Sequence, residues 1–166
     1  MTDISIWVPS EGAFVTRAKH LRNEGGGELS VDQWGRTIRT QPSAYFSEVL
    51  EVPLKEGVNI DAIEFDPPEL DMRYLQGQAT LKGAAGRLKR DKQRHCVFGK
   101  TGGPYLRTCF VRGETQFLMD MAADEPLARA LADKMARHLA EMRHGGDPAL
   151  VAAGNRHLDL RRHGLQ

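Results

Sequence analysis

The sequence predicts an α/β protein, on three observations. A short apolar strand, His95-Cys96-Val97-Phe98, runs into a glycine-rich stretch around Gly102-Gly103-Pro104, and a helix over Glu114–Ala122 follows. A second helix opens at Asp124-Glu125-Pro126. At the start of the chain, Ile4-Ser5-Ile6-Trp7-Val8 alternates as a strand does and stops at Pro9.

Taken in order, Lys19 to Ser30 turns polar and then glycine-rich (Gly25-Gly26-Gly27), the composition of a loop. Trp34–Arg39 and Tyr45–Val52 read as two short strands around the turn-like Thr40-Gln41-Pro42-Ser43, a small hairpin or meander. Asp66-Pro67-Pro68 excludes helix from the stretch Asn59–Glu69 and makes it an extended connector. A helix is expected within Leu70–Gln93, with Met72, Leu75, Ala79 and Leu81 as a loose apolar stripe. Gly77, Gly83 and Gly86 weaken it by up to about 1 kcal/mol each relative to alanine. His95–Phe98 is short and apolar, as a buried strand is.

The clearest helix begins after Asp124, whose carboxylate can cap it, with Pro126 tolerated in the first turn. Leu127, Leu131, Met135, Leu139 and Met142 recur every three or four residues and form one apolar face, and Gly145-Gly146 ends the helix.

Composition narrows the class. Of 166 residues, 40 % are apolar and 27 % charged, as in an ordinary single globular domain. The net charge of +1 gives no electrostatic case for nucleic acid or an anionic membrane as partner. No apolar run approaches the roughly 20 residues of a membrane span. Met1-Thr2-Asp3-Ile4 lacks the basic and apolar regions of a signal peptide. Cys96 and Cys109 are too few for a disulfide framework and read as free thiols. The expectation is a soluble, cytoplasmic chain.

Several short motifs stand in a telling order: Asp32-Gln33-Trp34-Gly35-Arg36, Glu51-Val52-Pro53-Leu54, Ile63-Glu64-Phe65 with its prolines, Gly102-Gly103-Pro104, Arg112-Gly113 and Asp124-Glu125-Pro126. From Val31 to Met142, about two thirds of the chain, this order resembles the uroporphyrinogen decarboxylase superfamily, which includes corrinoid methyltransferases. The first two elements are similar to the Asp-x-Trp-Gly and Glu-x-Pro-Leu of its methyltransferase-like branch. The resemblance implies a (β/α)8 TIM barrel, which needs about 250 residues. This chain is therefore expected to be a partial barrel over residues 1–144, with a small β-hairpin insertion near the N-terminus.

In such a barrel, loops after strands form the active-site face. The resemblance thus makes the loop carrying Gly102, Gly103, Pro104, Phe110 and Arg112 the candidate substrate-binding segment. Gly102-Gly103-Pro104 has a plainer reading as a strand-to-helix turn. Arg112 either grips a substrate carboxylate through its planar fork or is a solvated or capping arginine. Trp34 reads more as a packing residue beside a turn than as a ligand contact.

The family activity implied is removal of carboxyl groups from porphyrinogen acetate side chains, without a cofactor. The alternative is methyl transfer with zinc and a corrinoid protein as partner. A third reading is a non-catalytic fragment or interaction module. The family's arginine-rich opening segment, its early aspartate and the methyltransferases' zinc ligands have no counterparts here. Where decarboxylases carry a tyrosine after the glycine-proline loop, this chain has Cys109 and Phe110. His95, Cys96 and Cys109 lack the paired, close spacing of a structural zinc site, and Tyr45, Asp61 and Glu64 have no partners for acid–base work. Catalytic residues are left unassigned.

The resemblance stops near Gly145, and residues 145–166 form an irregular polar tail. Shifting generic codons for Leu158 to Gly164 by one base permits Trp-Ile-Tyr-Asp-Asp-Met-Ala, similar to the family's next strand and acidic loop. The expectation is a one-base change between about Met142 and Gly154, and a helical face over 125–143 left partly uncovered.

Overall fold

The structure is a computed structural model and describes residues 4–7, 9–74, 80–99 and 102–144. Residues 145–166, expected as an irregular tail, Leu75 and Ala79 of the expected stripe, and Gly77 lie outside the described residues. The chain divides into two compact units, one of Met1–Glu11, Pro68–Thr101 and Leu139–Gln166, the other of Gly12–Pro67 and Gly102–His138.

In the first unit, strand β1 (Ile4–Trp7) pairs in parallel with β6 (Cys96–Gly99), from Ile4 opposite Cys96 to Trp7 opposite Gly99. Helix α1 (Leu81–Asp91) precedes β6; the Thr80 hydroxyl caps it by accepting from the Gly83 N–H at 3.1 Å. Ala84 and Leu88 are buried on this helix, while Met72 of the expected stripe is exposed. The segment before it forms a 3-10 turn, Asp71–Arg73. Arg73 is buried there, its Nη1 donating to the Ser10 carbonyl at 2.9 Å, and the Ser10 N–H returns a bond to the Arg73 carbonyl at 2.8 Å.

The second unit carries a four-stranded antiparallel meander in the order β2 (Lys19–Glu24), β3 (Gly27–Val31), β4 (Thr37–Thr40), β5 (Glu48–Glu51). The stretch expected as a loop is thus a hairpin. Gly25 and Gly26 take φ of 58° and 82°, the pair of positive angles that a two-residue hairpin turn demands. Trp34 lies in the next turn rather than in a strand. Asp32 builds that turn, its Oδ1 accepting from the N–H groups of Trp34 (2.9 Å) and Arg36 (3.0 Å).

Gly35 sits at φ 76°, and a Cβ there would lie 2.9 Å from the Phe14 ring. Gly35→Ala is expected to cost about 1–3 kcal/mol in urea denaturation. Gly57→Ala, at φ 71° in open space, carries backbone strain without the clash and should cost less.

Three further helices follow in the chain: α2 (Pro104–Arg112), α3 (Glu114–Ala123) and α4 (Glu125–His144), the last with its residues from Leu139 onward in the first unit. Residues 104–112, expected as loop, are helical because Pro104 occupies the first turn, where its missing N–H is harmless. Asp124 caps α4 through its Oδ1, which accepts from the Leu127 N–H at 3.2 Å. On α4, Leu131, Met135, Leu139 and Met142 are buried and Leu127 is half-buried, so most of the apolar face expected to stand partly uncovered is covered.

The barrel expectation is corrected by these observations. Barrel strands are parallel and buried on both sides, and read as continuous apolar runs. Here β2 reads Lys-His-Leu-Arg-Asn-Glu and is largely exposed, β5 is exposed throughout, and both pair with sequence neighbours in antiparallel fashion. Parallel pairing is confined to β1 and β6 among the described residues. Among the described residues the architecture is α+β: a small antiparallel sheet with four helices.

Candidate functional site

The second unit holds a groove of about 740 Å3, within the range of small-molecule sites. Val49, Leu50, Val52 and Lys55 reach it from β5 and the residues after it. Tyr105, Leu106, Cys109 and Phe110 come from α2, and Gly113 to Gln116 from the start of α3. Arg36 joins them from the β3–β4 turn.

One hydrogen-bonded joint fixes the groove's shape. The Leu54 N–H donates to the Val111 carbonyl at 3.0 Å, tying the exit of β5 to the end of α2. Arg112 reinforces it: Nη1 donates to the carbonyls of Leu54 (3.1 Å) and Lys55. Its Nε and Nη2 make a bidentate pair with Asp120 at 2.7 and 3.0 Å. Gln116 adds a third donor to that carboxylate at 2.9 Å. Both partners are almost wholly buried, at 2 % and 5 % exposure.

The hydrogen bond from Arg112 holds the Asp120 carboxyl below its usual range, against the opposing effect of burial and with help from Gln116. A depressed folded-state pKa contributes stability above the unfolded value, near 3.9, and loses it as pH falls through the folded value. Denaturation midpoints should therefore fall more steeply below about pH 4 in the natural protein than in Asp120→Asn. Equal slopes would show that Asp120 carries no such linkage.

Phe110, which lines the groove, is backed by Trp34 from an earlier part of the chain. Phe110 meets Trp34 edge-to-face at 5.4 Å. The Arg36 guanidinium lies 4.3 Å from the Phe110 centroid, and Arg107 stands 5.0 Å from Trp34 and 5.2 Å from Phe110. Arg36 is held by Asp32 as well, Nε at 2.8 Å and Nη2 at 2.7 Å from Oδ2.

Tyr105 and Cys109 stand one helical turn apart on α2, and each shifts the other's titration. Burial pushes the Cys109 thiol up; Tyr105 opposes this and Glu114 adds to it. Desolvation raises the Tyr105 phenol, followed by Cys109 and then by Glu114. At neutral pH the pair is a thiol and a phenol, suited to donating hydrogen bonds and unsuited to nucleophilic attack.

Of the sequence-derived candidates, Phe110 and Arg112 line this groove. Gly102, Gly103 and Pro104 do not; they form the entry to α2, Gly103 at φ 24°, with Arg107 packed on Gly102. Arg112 is neither solvated nor open, since all three guanidinium nitrogens have internal partners. Trp34 is buried as a packing residue. Sequence reasoning missed Arg36, Lys55 and Tyr105; reading 104–112 as a helix would have put Tyr105 and Cys109 on one face. Among the described residues, no group of three or more His, Cys, Asp or Glu is placed to hold a metal ion. No helix among them is long and apolar enough to cross a membrane. Comparison with family models, curated proteins and solved structures finds no match to this chain.

Proposed function

We propose that this chain is a uroporphyrinogen decarboxylase-like polypeptide that binds a porphyrinogen-like small molecule in the groove and does not itself carry the decarboxylation chemistry. The likeness is one of motifs and not of barrel architecture. One observation carries the proposal: residues of three separate family-like motifs reach the same groove. Arg36 comes from Asp-x-Trp-Gly-Arg, Glu51 and Val52 from Glu-Val-Pro-Leu, and Arg112 and Gly113 from the Arg-Gly step. Chain segments about 60 and 75 positions apart converge on one cavity, which supports a shared ligand over chance motif matches. The absence of catalysis rests on the groove's chemistry. Its phenol and thiol stay protonated, and its buried arginine is committed to Asp120. A cytoplasmic location belongs to the same proposal and is supported by two free cysteines.

The test is a titration of the purified chain with uroporphyrin, the fluorescent oxidised form, followed by tryptophan quenching. Uroporphyrinogen is then incubated with the protein and assayed for loss of carboxyl groups. The proposal expects saturable one-site binding without product. Absence of binding would remove the groove reading, and product formation would remove the non-catalytic part.

A further inference from the structure

We infer that Arg36 is the anion anchor of the groove, receiving one carboxylate of the ligand. This inference rests on the ligand-binding role proposed above and goes beyond it by assigning the recognising group. Three cations line the groove: Arg36, Lys55 and Arg112. Arg112 is already committed: four of its five N–H donors are bonded internally and the side chain is 2 % exposed. Lys55 is well exposed and reaches only Glu51, at a long 3.5 Å, so its flexible stem is not preset for any ligand.

Arg36 differs from both. Asp32 fixes Nε and Nη2, and the Phe110 ring supports the guanidinium plane. Nη1 makes no hydrogen bond among the described residues, and Arg36 lines the groove. The side chain is about four-fifths buried, at 19 % exposure, so its rotamer is set before a ligand arrives. Pre-setting removes most of the ordering cost that an arginine usually incurs on binding. Asp32 offsets part of the charge of Arg36, and Arg107 stands on the same aromatic pair. An anion at Nη1 thus gains a charge-assisted hydrogen bond in partly desolvated surroundings. From that point, Val49, Leu50, Val52 and Leu106 offer an apolar bed for the rest of the molecule. The ligand class is a carboxylate-bearing molecule that lays an apolar part of its body on this bed.

Uroporphyrin titrations of Arg36→Gln and Lys55→Gln, each checked for native circular dichroism, test the assignment. Arg36→Gln is expected to weaken binding about tenfold or more, and Lys55→Gln by clearly less. A second measurement uses the natural protein with nitrogen-labelled arginine, so no variant need fold. The Arg36 side-chain resonances should shift on ligand addition, and those of Arg112 should stay in place. Unaltered binding by Arg36→Gln, or ligand binding that leaves the Arg36 signals still, would overturn the inference while leaving the groove reading intact. Absence of binding to the natural protein would remove the groove reading and this inference with it.

Discussion

Asp120→Ala is expected to lower the unfolding free energy by about 3–5 kcal/mol, the cost of leaving a buried charge without its partner. The magnitude follows from the environment of Arg112. Its guanidinium is 2 % exposed, so water cannot replace the lost carboxylate. An exposed pair such as Arg129–Glu125 on α4 is a useful contrast. Surface pairs contribute about 0–1 kcal/mol, and Glu125→Ala should fall in that range. Arg112→Met is expected to cost at least as much as Asp120→Ala. It strips Asp120 of two hydrogen bonds and withdraws the donor from the Leu54 and Lys55 carbonyls together. Urea denaturation of the three variants measures this order. Similar small losses for Asp120→Ala and Glu125→Ala would show that the joint between β5 and α2 does not depend on the pair.

Trp34→Ala should cost a comparable 3–5 kcal/mol, as truncation of a buried large aromatic does. Trp34 is 5 % exposed, and its indole supports Phe110 from the side while Arg107 packs nearby. Losing it both opens a void and releases the ring on which Arg36 lies. Ligand affinity should therefore fall with stability even though Trp34 does not line the groove. Trp34→Phe keeps most of the apolar volume and is expected to retain more of both. Thermal melts and uroporphyrin titrations on the two variants separate a packing role from a contact role. Loss of affinity in Trp34→Phe without loss of stability would mean that the indole touches the ligand directly.

The parts legible in the sequence were those governed by local chemistry. The apolar repeat from Leu131 to Met142, the Asp124 cap and the strand at Cys96 each follow from periodicity or capping within a few residues. The hairpin of β2 and β3 was hidden because its strands are polar, and three consecutive glycines look like a loop until two of them are seen to make the turn. Helix α2 was hidden by Gly102 and Gly103, which mark its start and not its absence. The barrel expectation failed because it came from motif order, and motif order does not fix which strands pair. The candidate loop pointed at the correct neighbourhood through Phe110 and Arg112. It missed Arg36, Lys55 and Tyr105, since what qualifies a residue there is long-range: the fixed guanidinium of Arg36 depends on where Asp32 and Phe110 happen to lie.

The central claim is that one ligand occupies the groove built by residues 49–55 and 104–116. Hydrogen–deuterium exchange with and without saturating uroporphyrin tests it most directly. The account predicts slowed exchange confined to those two segments and to the turn at Arg36. Protection centred elsewhere in the chain, or no protection at a ligand concentration that quenches tryptophan fluorescence, would contradict it.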